Sequence, residues 1–142
     1  MAETTRDPWT QSLVDDMRAH GGAITQGPMQ GRPLMLLTTT GAKTGESREA
    51  IVTYTRDGDR YVIAASKSGA PTHPAWFANV QAHPDVLVEA GGEQFHAHAT
   101  VAEGAERDRL WDQHSTERPE FEEYPKKTTR VIPMISLERL PG

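Results

Sequence analysis

Three short segments of the chain carry residues whose types and spacing could do chemistry. The first is Gly41-Ala42-Lys43-Thr44-Gly45-Glu46-Ser47-Arg48. Its glycines let the backbone approach a ligand closely, Lys43 offers a point charge, and Arg48 offers a planar fork of donors. A charge-assisted hydrogen bond contributes ~1.5–3 kcal/mol, so two or three would fix an acidic, phosphate-bearing tail. The segment is not a P-loop, because the spacing from its second glycine to the lysine is wrong. It does not open a helix, so the dinucleotide fingerprint fails too. The second segment, Ala64-Ala65-Ser66-Lys67-Ser68-Gly69, sets small residues at a strand end, with room for a flat ring or a pyrophosphate, and adds donors from Ser66 and Lys67. The third, His73-Pro74-Ala75-Trp76-Phe77-Ala78-Asn79, begins a helix whose first amides are free donors, with Trp76 as an aromatic wall. Each also has a plain reading: a solvated hairpin loop, a strand end, and a core tryptophan beside a helix-terminal histidine.

Other polar clusters say less. His96 and His98 lie two apart on a strand and share a face, which is half of a metal site. Spacing indicates no third ligand, so they read as surface histidines and no metal is assigned. Glu120, Glu122 and Glu123 read as a solvated acidic face. No serine–histidine–aspartate arrangement emerges from spacing. The chain has no cysteine, which removes disulfides, thiolate zinc sites and cysteine nucleophiles. A net charge of -5 argues against a general nucleic-acid binder, yet six basic residues fall between Arg32 and Lys67. Local cations in an acidic protein suggest a site for one specific anion.

The elements that must position these residues are mostly strands. At 142 residues, with 36% hydrophobic and 25% charged, the chain reads as globular and large enough for one core. Residues 1–22 are expected to form an N-terminal tail and helix, and residues 31–140 the main domain. Residues 1–7 are expected to fray. Trp9 to His20 reads as a short helix, stopped by Gly21-Gly22, that packs or acts as a lid. The alternative is a helix touching a membrane or lining a substrate channel. Strands are predicted at Leu34–Thr40, Glu49–Thr55, Arg60–Ser66, Asp85–Ala90, Gln94–Val101 and Val131–Leu137, with a tight turn at Asp57-Gly58. Pro133 places the last of these at an edge or a bulge. Helices are predicted at Pro74–Ala82 and Glu103–Ser115, with Leu110 and Trp111 facing inward. Glu117 to Thr129 is acidic, bears aromatics and fits neither pattern. The fold class is therefore mainly β (α+β): about six antiparallel strands in a small barrel or strongly bent sheet, capped by helices. No apolar run approaches the ~18–20 residues that span a bilayer, and Met1 to Asp7 lacks a signal-peptide core. The expected location is the cytoplasm, with peripheral membrane contact through the N-terminal helix as the alternative.

Leu36-Leu37-Thr38-Thr39-Thr40-Gly41-Ala42-Lys43-Thr44-Gly45, together with the second and third segments in that order and near that spacing, resembles the deazaflavin (coenzyme F420)-dependent nitroreductase family of actinobacteria. His83-Pro84, Arg130 and Ile132-Pro133 also fit, so the likeness runs from about Gly31 to Leu137. It implies a split β-barrel related to oxidoreductases that bind flavin mononucleotide. It implies that Thr40, Lys43, Thr44 and Arg48 hold the acidic tail of the cofactor, with Ser66 and Lys67 helping. It implies that the deazaflavin ring lies along Ala64, Ala65 and the helix starting near Pro74, with Trp76 close by. An aromatic segment before the last strand would face the acceptor; here that is Phe121 and Tyr124. The chain departs from the family in three places. Ala42 stands where arginine is common, which turns attention to Arg32. Ile51-Val52-Thr53-Tyr54 replaces a proline–leucine–tyrosine–tyrosine run, leaving Tyr54 as the matching substrate contact. Phe121 replaces a tyrosine.

The resemblance implies an enzyme that transfers a hydride from reduced F420 to an electron-poor small molecule, a quinone, an activated alkene or a nitroaromatic. Tyr124 is expected to contact the acceptor and donate a proton. The alternatives are a split-barrel enzyme using flavin mononucleotide (FMN), a non-catalytic F420 carrier, and a lipid-binding protein. The chain is expected to be a monomer or a homodimer. Lys43, Arg48 and Lys67 are expected to surround one cleft. Cofactor titration of the double variant Lys43→Ala/Arg48→Ala checks the loop: weaker binding is expected, and unchanged affinity rejects the loop as an anchor.

Overall fold

The structure is a computed structural model that describes residues 6–141, apart from the side chain of Ser68. Six strands form a closed antiparallel barrel: β1 (Leu34–Thr40), β2 (Ser47–Asp57), β3 (Arg60–Ala64), β4 (Asp85–Ala90), β5 (Glu93–Val101) and β6 (Met134–Arg139). Around the barrel the order is β1-β2-β3-β6-β5-β4. The pairing of β4 back onto β1 at Leu36↔Glu89, Leu37↔Val88 and Thr38↔Leu87 closes it. Three helices lie outside the βαβ rhythm: α1 (Pro8–Ala19), α2 (Ala75–Ala82) and α3 (Gly104–Glu117).

Closure explains the apolar runs. Met35 and Leu37 of β1, Ile63 of β3 and Ile135 and Leu137 of β6 point into the barrel interior with Tyr61, Val88, Phe95 and Ala97. The alternate residues of β1 and β3 are buried too, because helices cover those outer faces. Leu34 packs with Leu13, Met17 and Ile24 under α1. Val62, Ala64 and Met134 pack with Leu110 of α3 and with Phe121. The outer face of β5 stays in water, so β5 alternates buried and exposed residues. Trp76, Phe77 and Val80 of α2 join the interior cluster, so this short helix stoppers the barrel.

The N-terminal helix is fastened to the barrel. Asp7 caps it by accepting from the Thr10 amide at 3.1 Å, and Pro8 takes the first turn, where its missing N–H costs nothing. Arg6 forks onto Glu49 with two bonds of 2.9 Å, and Arg18 forks onto Glu89 at 2.9 and 3.0 Å. Arg6 and Asp7 are thus held, while the expectation of fraying at residues 1–5 lies outside the described residues. A Cβ on Gly22 would meet the Gly91 and Gly92 backbone at 2.6–2.7 Å, so the helix end seats on the β4–β5 turn only as glycine. Leu13, Val14 and Met17 of α1 are buried, while Trp9 is half exposed.

Several boundaries differ from the sequence reading. β2 extends from Ser47 to Asp57, because its ends pair with Thr40 and Arg60. The tight turn is Gly58-Asp59, one residue later than expected. β3 ends at Ala64, so Ala65 and Ser66 lie outside it, and Lys67–Gly69 form a 3-10 turn. Pro119–Lys127 is a 3-10 helix, whose three-residue period the apolar pattern did not match. The last strand begins at Met134 and is not an edge: it pairs with β3 on one side and β5 on the other, and Pro133, lacking a donor, stays just outside it.

The β2–β3 hairpin is joined to α3 by charge. Asp57 accepts from Arg109 at 2.9 and 3.2 Å and also pairs with Arg60. These two guanidinium groups, Arg109 foremost, hold its carboxyl down to about 2 from 3.8. A depressed carboxylate adds stability that is complete above its unfolded pKa and lost as pH falls toward the folded one. Asp57→Asn is therefore expected to melt at lower temperature at pH 7 and to lose part of the wild-type decline between about pH 4 and 2. Thermal melts over that range check it.

Candidate active site

A cleft of about 340 Å³ opens on the outer wall of the barrel, inside the ~300–1,000 Å³ range of small-molecule sites. β2 supplies the stretch from Ala50 to Thr53, and β3 supplies Ala64. Ser66 and Lys67 come from the turn after β3, and Pro74 and Trp76 from the start of α2. Phe121 and Tyr124 come from the 3-10 helix. Trp9, Met29, Arg32 and Leu34 close the N-terminal side.

Of the residues singled out by sequence, Ala64, Ser66, Lys67, Pro74, Trp76, Phe121 and Tyr124 are brought together in this cleft. Six are not among its lining. Ala65 is fully buried and gives its amide to the Pro133 carbonyl at 2.9 Å. Tyr54 faces the barrel interior and packs on Tyr61 with ring centres 5.2 Å apart; burial raises its pKa. Thr40 ends β1, paired with Ser47. Thr44 accepts the Glu46 amide at 3.2 Å within its own loop. Lys43 is exposed on that loop and Arg48 is exposed at the start of β2, where it pairs with Glu46 at 2.8 Å. The expectation that Lys43, Arg48 and Lys67 surround one cleft is thus met by Lys67 alone. The other cation in the cleft lining is Arg32, which stands 3.8 Å from Glu120.

Three features shape the walls. Lys67 has φ +46, a left-handed conformation costly for a side chain of this size, and no carboxylate pairs with it among the described residues. A Cβ on Gly69 would meet the Tyr124 carbonyl at 2.9 Å, so the Lys67 turn and the Tyr124 segment are in direct backbone contact. Asn79 of α2 accepts the Ala42 amide at 3.0 Å and donates to Thr39 Oγ1 at 3.1 Å, which ties the cationic loop to the helix that carries Trp76.

Two residues have no role in the sequence reading, although Arg130 is among those that fit the family likeness. Arg130 donates to three main-chain carbonyls behind Lys67, and burial draws its pKa down. Its own position gives no hint of partners some sixty residues away. His114 is fully buried, with Nδ1 2.7 Å from Thr55 Oγ1 and no partner for Nε2 among the described residues. Its ring meets Phe121 edge-on at 4.4 Å, and Phe121 meets Tyr124 likewise at 5.1 Å. The available signal was its place four residues after Leu110, on the inward face of α3. His98 Nδ1 lies 2.8 Å from Asp85 on the outer face, and no group of three potential metal ligands occurs among the described residues.

The chain has recognisable relatives. An F420H(2)-dependent quinone reductase of Mycobacterium tuberculosis is 40% identical over 112 residues, 75% of this chain and 74% of that protein. A solved F420-H2 dependent reductase, FDR-A, is 39% identical with a TM-score of 0.69, covering 75% of this chain and 95% of that one. Another solved structure, a domain-swapped dimer, is 34% identical with a TM-score of 0.71, covering 92% and 97%. With the six-stranded barrel, these likenesses define a deazaflavin-dependent oxidoreductase of the split-barrel type. The sequence model of F420H(2)-dependent quinone reductases matches residues 9–139, and the chain belongs to that family.

The residues present suit such a cofactor. Lys67, with no acidic partner among the described residues, and Ser66 offer a cation and a hydroxyl at one end, while Ala50 and Ala64 leave space beside Trp76 for a flat ring. His114 packs against Phe121 of the cleft, and burial pushes its pKa down to about 4 from 6.5. A histidine depressed in the folded state costs stability as pH falls from the unfolded value toward the folded one, here by on the order of 3 kcal/mol. The protein is expected to lose stability between about pH 6.5 and 4, and His114→Phe to lose less over that window. Denaturant midpoints across the window check it.

Proposed function

We propose that this protein reduces a quinone-class acceptor with F420H2 inside the cleft bounded by Lys67, Trp76 and Tyr124. The reading is carried by one observation: six separated stretches of chain deliver the small, cationic and aromatic residues to a single place. F420H2, when bound, supplies the hydride. Lys67, Ser66 and Arg32 hold the acidic tail. Lys43, Thr44 and Arg48, just ahead of Ala50 on β2, meet the part of the tail that extends beyond the cleft, with Thr40 at the adjoining strand end. Ala64 and Pro74 leave the ring its plane, with Ala65 fixing the strand end behind, and Trp76 walls the ring. Phe121 packs against the acceptor, with Tyr54 backing it from the barrel interior. The Tyr124 hydroxyl donates a proton to the acceptor oxygen as that oxygen gains negative charge. Trp9 and Met29 screen this end of the cleft from water.

Titration with F420 and FMN side by side, followed by turnover with a panel of quinones, activated alkenes and nitroaromatics, tests the reading. F420 is expected to bind and FMN not. Lys67→Ala is expected to weaken F420 about 10–100-fold, the loss of one charge-assisted bond. Tyr124→Phe is expected to leave that affinity unchanged and to lower kcat about 100-fold. A flavin spectrum in the purified protein, or F420 binding without turnover on any acceptor, would overturn it.

A further inference from the structure

Arg130 lies on the strand-free stretch between the 3-10 helix and β6, outside the cleft lining. Its guanidinium is used on one short segment of a different part of the chain. Nη2 donates to the Ser66 carbonyl at 2.7 Å, Nε to the Ala70 carbonyl at 2.9 Å, and Nη1 to the Ala65 carbonyl at 3.1 Å. Nη1 also lies 2.9 Å from His73 Nδ1, which must accept, because a guanidinium only donates. No carboxylate pairs with Arg130 among the described residues. The three carbonyls span Ala65 to Ala70, the turn that holds Lys67 in its left-handed conformation.

Such a backbone persists only where its surroundings over-determine it. The turn has two bonds of its own, from the Gly69 amide to Ser66 and from the Ala70 amide to Lys67, at 2.9 and 3.0 Å. Arg130 adds three more from outside. It also continues the chain that carries Tyr124, so one side chain clamps the Lys67 wall to the acceptor wall. Only a planar fork serves carbonyls diverging in this way, since an ammonium is a point charge.

We infer that Arg130 is a positioning residue for the cofactor: it keeps Ser66 and Lys67 preformed to receive the anionic tail before that tail arrives. The inference rests on the reading that F420 occupies this cleft, and deepens it.

The test compares Arg130→Lys and Arg130→Gln with wild type and with Lys67→Ala. F420 affinity, acceptor KM and hydrogen exchange at the Gly69 and Ala70 amides of the free protein are measured. Both Arg130 variants are expected to bind F420 about tenfold or more weakly, with acceptor KM within about twofold. Exchange at Gly69 and Ala70 should quicken in both. Wild-type affinity in Arg130→Lys overturns the inference. If that occurs while Lys67→Ala is weakened, the cleft reading survives alone; unaltered affinity in Lys67→Ala removes both. Should neither Arg130 variant fold, wild type still decides. Gly69 and Ala70 are expected to be protected before F420 is added, and protection that appears only on binding overturns preformation.

Discussion

Closure of the barrel between β1 and β4 is the constraint on which the remaining structure depends. A six-stranded sheet without that seam would leave two edges, and β1 would have one of them. With the seam made, β1, like β3 between β2 and β6, is paired on both sides and packed on both faces, inside by the barrel core and outside by helices. The cleft sits where this outer covering is incomplete. There residues of α1, α2 and the 3-10 helix line a space beside β2 and β3. The site is therefore a gap between covering elements on a rigid wall, not a cavity within the core.

The two sides of that gap are held by different forces. The Lys67 side is main chain, fixed by hydrogen bonds from a guanidinium with no carboxylate among its described partners. The Tyr124 side is a relay of rings, Tyr124 on Phe121 on His114, ending in a hydroxyl bond to Thr55 of β2. Hydrogen bonds to main-chain carbonyls are directional and hold the backbone of the turn at fixed points. Edge-on ring contacts hold the opposite side through packing and the attraction of a positive ring edge for a negative ring face.

Local pattern made much of this legible in the sequence. β1 and β4 were readable to the residue, because an apolar run bounded by glycine and proline has few other interpretations. The barrel followed from six strand signals without a βαβ rhythm. The failures share one cause, dependence on distant partners. Pro133 signals an edge only if the next strand lacks a second neighbour, and closure supplied one. Lys43 and Arg48 looked equivalent to Lys67 in a charge count, but Glu46, two residues before Arg48, engages it locally. Phe121 and Tyr124, three apart, match a 3-10 period as well as an α-helical one, and a nine-residue segment is too short to choose. His114 sits in a polar helix and becomes unusual only when Thr55 and Phe121 arrive.

The left-handed turn at residue 67 sets heat resistance against the charge of the cleft at a single position. A lysine there gives up about 1–2 kcal/mol that glycine would recover, since glycine has no Cβ to crowd the following carbonyl. Laboratory evolution under thermal challenge alone would drift toward glycine at this codon, and the hardier descendants would carry one positive charge fewer at the mouth.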